Sequence, residues 1–208
     1  MQVVKQDDIN DNRIVEMLRN GLTIVYPTET CYGLGCDARN REAIEKVAKI
    51  KQRQENKPML VVVPDAAMAL EYLEWSPKLQ ELADKYWPGA LTVVGESKVH
   101  KVIKSIKSLC AGVVAPDGTI AFRVTSHPIP AQLSRLLDAP LVSTSANISG
   151  QEQPYNVEAV QRYFANQPDQ PDIIIDAGEL PRRAPSTIVR VLDGKVEVLR
   201  EGETVINL

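Results

Sequence analysis

The sequence predicts an α/β fold in which a twisted mixed sheet is flanked by helices. Three observations carry that expectation. Short apolar runs alternate with longer amphipathic stretches along the whole chain. Proline or glycine punctuates most of the junctions. The last two apolar runs bracket Asp193-Gly194, a hairpin signal, so part of the sheet is antiparallel. The spacing suits one sheet in one domain spanning residues 1–208.

The elements follow in order. Arg13 to Asn20 has Ile14, Met17 and Leu18 on one face, Asp11 as cap and Gly21 as stop, which predicts a helix. Leu22 to Tyr26 is too short for a helix and is closed by Pro27, so it is read as a strand. Arg41 to Ile50 predicts a helix capped by Asn40, with Ile44, Val47 and Ala48 as its apolar stripe. Met59 to Val63 is a buried strand stopped by Pro64. Helices are expected at Ala66–Tyr72, Pro77–Tyr86, Pro130–Leu137 and Val157–Phe164. Strands are expected at Leu91–Val94, Ile120–Val124, Leu141–Ser143, Ile173–Asp176, Thr187–Leu192 and Val196–Leu199.

Composition narrows the function classes. The net charge of −3 argues against a generally basic nucleic-acid binder. Aromatic residues make up 5% of the chain, too few for a base-stacking platform. Three cysteines without a CxxC pair do not suggest a disulfide framework. The first residues, MQVVKQDDIN, contain no apolar core of a signal peptide, and no run approaches a membrane span, so a cytoplasmic protein is expected. Neither His100 nor His127 has a zinc or triad motif around it. No metal site is expected.

Several segments could carry chemistry. Tyr26-Pro-Thr-Glu-Thr-Cys-Tyr-Gly-Leu-Gly35 puts polar residues and two glycines directly after a buried strand, where α/β proteins build sites. Gly33 to Ala38 fits G-x-G-x-x-A, but the glycines begin well past the strand, and a dinucleotide fold is not expected. No P-loop is present. The stripe Ile44, Val47, Ala48 puts Lys51 on the inward face, where it either snorkels or points into a site. A lone K-x-R reads first as a solvated helix end, while Lys51, Arg53 and Lys57 together also suit a polyphosphate.

Ser143-Thr-Ser-Ala-Asn147-Ile-Ser-Gly150 could cradle a phosphate or carboxylate, or simply form a turn or helix cap. Arg123 interrupts an apolar strand, so it has a buried partner or faces solvent. Lys98–Lys107 has the pattern of an amphipathic helix whose lysine face is solvated.

In series, YPTETCYGLG, KQR with KPM, WPGALT, FRV, STSANISG, PSTIV and LREG resemble the YrdC/YciO family, and within it the threonylcarbamoyl-AMP synthases. These motifs span residues 26 to 202. The resemblance implies a single-domain YrdC-like fold around a positively charged concave cavity. It implies a nucleotidyltransferase that makes threonylcarbamoyl-AMP and pyrophosphate from L-threonine, bicarbonate or CO2, and ATP, with Mg2+ accompanying the triphosphate. A threonylcarbamoyl transferase would then act on tRNA, to which this chain itself could make a weak contact.

Residue by residue, the family's catalytic tetrad falls on Lys51, Arg53, Ser145 and Asn147. Threonine-side positions fall on Thr30, Arg123, Ser143 and Ser186, and ATP-side positions on Arg53, Lys57, Thr119, Ser145 and Arg200. Departures are Val62, where some members have His, Cys31, where Val is frequent, and Thr125, where Pro is usual. The alternatives are a YciO-type relative of different activity and an RNA-binding module.

Overall fold

The computed structural model describes residues 1–53, 58–98 and 109–207. In chain order the elements are β1 (Gln2–Lys5), α1 (Asp11–Arg19), β2 (Ile24–Pro27), β3 (Tyr32–Gly35), α2 (Arg41–Ile50), β4 (Val61–Val63), α3 (Ala66–Tyr72), α4 (Pro77–Tyr86) and β5 (Leu91–Glu96). Then come β6 (Thr119–Val124), α5 (Pro128–Leu137), β7 (Leu141–Val142), β8 (Thr144–Ser145), α6 (Val157–Phe164), β9 (Ile173–Asp176), β10 (Thr187–Leu192) and β11 (Lys195–Arg200).

The strands form two mixed sheets, where the sequence suggested one. One has the order β1-β9-β2-β3-β8 and the other β11-β10-β5-β6-β4-β7. The sheet β1-β9-β2-β3-β8 escapes a reading by periodicity because β1, β3 and β8 are short. YGLG of β3 and Thr-Ser of β8 also carry little strand propensity. Their pairing is fixed by tertiary contacts: β3 runs antiparallel to β2 on one side and to β8 on the other.

The apolar runs are apolar throughout because both faces are covered. In β2, Ile24 and Tyr26 pack into one cluster and Val25 into another. In β4, Val62 faces one way and Val61 and Val63 the other, and β9 divides Ile173 and Ile175 from Ile174 in the same manner. The smaller cluster is roofed by α1 and α5 through Ile14, Val15, Leu18, Leu133 and Leu137. Such doubly covered strands lose the period-two alternation.

Local chemistry sets the ends. Asn10, rather than Asp11, caps α1 by accepting from Arg13 N at 3.1 Å. Asn40 caps α2 from Ala43 N, as the sequence predicts. The β10–β11 hairpin turns at Asp193 and Gly194, both with positive φ. The chain leaves β7 in one sheet and enters β8 in the other with only Ser143 between them.

That crossing needs close backbone approach. A Cβ on Gly35 would lie 1.8 Å from the Val142 carbonyl oxygen, which also accepts from the Tyr26 hydroxyl at 2.9 Å. The glycine of the false dinucleotide match is therefore a packing requirement where the sheets meet. Gly35→Ala should cost more than about 3 kcal/mol, since backbone and not a movable side chain blocks it. Gly194→Ala, whose Cβ would meet nothing within 4 Å, should cost only about 1 kcal/mol. Urea midpoints of the two variants check this, and equal shifts would refute the close-approach account.

Candidate active site

The two sheets enclose a cavity of about 1160 Å³. Lys51, Arg53, Ser145, Asn147, Thr119, Arg200, Thr30, Arg123, Ser143 and Ser186 all line it. These residues come from sequence-distant segments, and the fold brings them to one place. Lys57 and the lysines at 101, 104 and 107 lie outside the described residues.

Lys51 follows the last turn of α2 and is 3% exposed. Its Nζ donates to the carbonyl oxygen of Ser145 at 2.5 Å, that of Asn147 at 2.9 Å and to Asn147 Oδ1 at 2.8 Å. It therefore points into a site and does not snorkel. Burial, and secondarily the charge of Arg53, pull its pKa down to about 8. Burial also lowers the pKa values of Arg53 and Arg200.

The K-x-R spacing has a backbone cause. Gln52 adopts φ 50°. The amides of Gln52 and Arg53 bond back to the carbonyls of Lys49 and Ala48. This left-handed helix stop reverses the chain so that positions 51 and 53 both reach the cavity.

Ser145 and Asn147 stand on the segment after the sheet crossing. Asn147 Oδ1 accepts from Lys51 and from Ser145 Oγ at 2.7 Å, while Nδ2 donates to the carbonyls of Gln151 and Glu152. Its amide is fully occupied. Asn147 thus holds Lys51 and Ser145 rather than presenting a group of its own.

Arg123 faces inward from the middle of β6, 4% exposed. Its Nε lies 3.4 Å from Glu29 Oε1 and its Nη1 3.5 Å from Thr30 Oγ1. Thr28, Thr30 and Cys31 occupy the tight turn between β2 and β3, where Thr28 N and Oγ1 both donate to the Cys31 carbonyl. Ser186 joins two groups. Its Oγ lies 2.9 Å from Thr92 Oγ1 and accepts from Arg200 Nη2 at 3.2 Å. Gly202 permits this, since a Cβ there would lie 2.1 Å from the Pro185 carbonyl. Thr119 donates through N and Oγ1 to Asp117 Oδ1, which lowers the Asp117 pKa.

The lining also contains Arg190 and Asp117, which sequence reasoning missed. Arg190 sits among inward and outward positions that alternate along β10, a pattern that on sequence gives a surface arginine. Among the described lining residues are five cations, Lys51, Arg53, Arg123, Arg190 and Arg200, against one carboxylate, Asp117. No group of three or more His, Cys, Asp or Glu suited to a metal occurs among the described residues. No described helix is long and apolar enough to cross a membrane. The Cys31 thiol lines the cavity, and burial pushes its pKa up to about 11, so it is no thiolate nucleophile at neutral pH.

Two sheets enclosing converging cations and hydroxyls define an α/β protein with a cavity whose described lining has the chemistry of an anion site. The chain belongs to the Sua5/YciO/YrdC family, whose model, described as "Telomere recombination", matches residues 16–202. It is 31% identical to a protein of Methanocaldococcus jannaschii provisionally named threonylcarbamoyl-AMP synthase, over 97% of this chain and 93% of that one. The crystal structure of P. abyssi Sua5 complexed with L-threonine superposes with a TM-score of 0.80 at 28% identity. It covers 97% of this chain, which spans only 57% of that longer one. E. coli YciO matches with a TM-score of 0.79 at 27% identity, over 97% of this chain and 94% of that one.

The burial of Lys51 has a measurable consequence. Its folded pKa of about 8 lies below the ordinary 10.5, so between those values the unfolded chain binds more protons. Stability from this group therefore rises with pH across that window, and the full cost of burying the ammonium is present below it. The stability difference between wild type and Lys51→Met should shift toward wild type from about pH 7.5 to about pH 10. Urea midpoints at each pH check this. A flat difference would mean that the ammonium is not buried in solution.

Proposed function

We propose that the chain is an L-threonylcarbamoyladenylate synthase, which converts L-threonine, bicarbonate or CO2, and ATP to threonylcarbamoyl-AMP and pyrophosphate. The observation that carries this reading is the convergence of its ten described candidate residues on one cationic cavity. The likeness to a relative of that name and to a threonine-bound structure supports it.

In this reading Arg123, with Thr30, Ser143 and Ser186, takes the amino acid. A buried guanidinium suits its carboxylate, and hydroxyls suit its side-chain hydroxyl. Lys51, Arg53, Thr119, Ser145 and Arg200 take the nucleotide, with Lys57 as a further contact. The amine and bicarbonate give a carbamate with loss of water. A carbamate oxygen then attacks the α-phosphorus, the α–β phosphoanhydride breaks, and pyrophosphate leaves. No enzyme nucleophile is needed. The residues position the reactants and offset charge that spreads over the phosphates.

Mg2+ would enter on the triphosphate, because the described lining offers one carboxylate and many cations, a poor cage for a free dication. The adenylate would pass to a threonylcarbamoyl transferase acting on tRNA, in the cytoplasm.

The test is pyrophosphate release with each substrate omitted in turn. Release should require both threonine and bicarbonate. Equal release without threonine would favour a YciO-type activity instead. Lys51→Ala and Arg53→Ala should each lower turnover about a hundredfold, as expected when a cation facing developing charge in a partly dry site is lost. Lys51→Arg should not restore it, because a planar fork cannot satisfy the three converging acceptors that hold the ammonium. Near-normal turnover in folded Lys51→Ala would remove Lys51 from the mechanism.

A further inference from the structure

We propose that Glu29, pinned by the Thr125 hydroxyl, is a positioning residue that aims the Arg123 guanidinium at the amino-acid carboxylate. This rests on the synthase reading, in which Arg123 meets that carboxylate.

The geometry is specific. An arginine 4% exposed in the middle of a strand needs a partner for its charge. Glu29 supplies it from the β2–β3 turn, with a side chain only 10% exposed. Its two oxygens do different things. Oε2 accepts from Thr125 Oγ1 at 2.7 Å, whereas Oε1 lies 3.4 Å from Arg123 Nε. Neither Oε1 nor Nε has a hydrogen-bond partner. The contact is therefore an ion pair short of a full hydrogen bond, and its direction depends on how the carboxylate is held.

Thr125 does that holding and is itself fixed. It lies just past β6 with its amide bonded to the Val63 carbonyl, and its hydroxyl accepts from His127 N at 3.2 Å. A hydroxyl that accepts from His127 N and donates to Glu29 has a defined orientation. A proline at this position would offer no hydroxyl, so the clamp belongs to this chain's own choice of residue. With the Nε edge turned to Glu29, the Nη end is left toward Thr30 and the cavity. Two guanidinium N–H groups on that end match a carboxylate fork.

The experiment compares full-length wild type, Glu29→Gln, Thr125→Val, Thr125→Ser and the Glu29→Gln/Thr125→Val double variant. Threonine and ATP affinities are measured by calorimetry, KM and kcat by pyrophosphate release, and folding by thermal melting. Glu29→Gln should raise the threonine Kd and KM by about tenfold or more, as for loss of a hydrogen-bonding or charge partner. ATP affinity should hold, and kcat at saturating threonine should change less than about threefold.

Thr125→Val should act in the same direction, Thr125→Ser should restore affinity, and the double variant should be less than additive. Unchanged threonine affinity in folded Glu29→Gln would overturn the proposal, as would parallel loss of threonine and ATP binding. If Glu29→Gln does not fold, Thr125→Val against Thr125→Ser decides alone. Wild type that binds no threonine would overturn the synthase reading itself, whereas threonine-binding wild type with indifferent variants overturns only the role of Glu29.

Discussion

A buried ammonium ties the cavity together. Lys51 ends α2, and its three donated hydrogen bonds all go to Ser145 and Asn147, on the segment that has just crossed between the sheets. The tie is doubled by the Lys51 carbonyl, which accepts from Ser149 N and Oγ. Both ends of the lysine thus hold the same loop. A cation placed among neutral oxygens is costly, and the lowered pKa records that cost. The return is a fixed positive charge whose position does not depend on a flexible stem.

From that tie the rest of the site follows. The loop can be reached only because β7 and β8, one residue apart, belong to different sheets. That in turn requires Gly35 to pass against Val142. The hydroxyls of Ser143 and Ser145 are therefore delivered by a topological feature, not by a local motif. The threonines of the β2–β3 turn reach the same cavity from the neighbouring hairpin, since β3 pairs with β8 through Gly33 and Ser145. A Cβ on Gly33 would meet Thr28, Ser143 and the Tyr26 ring at 3.2 to 3.4 Å, so the glycine keeps this corner open.

Most helices and the long strands were legible because their signals are local. Asn40 before an apolar stripe caps α2, Asp193-Gly194 turns a hairpin, and MLVVV has no room to be a helix. The sheet count was not legible, because Tyr32–Gly35 and Thr144–Ser145 are strands only through their partners. In the same way Arg123 left two readings open until Glu29 was seen beside it. The candidate residues were legible as a family pattern, while their grouping was not. Arg190 and Asp117 carried no motif and came to light through the cavity alone.

The balance of charges in the cavity also bears on how it behaves when empty. Arg123 has a carboxylate partner, but Lys51 and Arg200 are held by neutral carbonyl and hydroxyl oxygens. Those oxygens satisfy donors without cancelling charge, so the field of the five cations in the described lining is not balanced by its one carboxylate. A polyanion that enters relieves repulsion among the cations as well as making its own contacts. Ligand binding and folding stability are then coupled, because only the folded chain assembles that field. The arrangement also gives the two halves of the site unequal characters. In the proposed reading the Arg123 side, whose Nε edge faces Glu29 while its Nη end remains toward the cavity, would take the amino acid. The Lys51 and Arg200 side, held by neutral oxygens, would take the triphosphate. Ser186, bonded to Arg200 and adjacent to Thr92, stands where the two meet. In the proposed reaction an amino-acid derivative is joined to a nucleotide phosphorus, and Ser186 would stand at that junction.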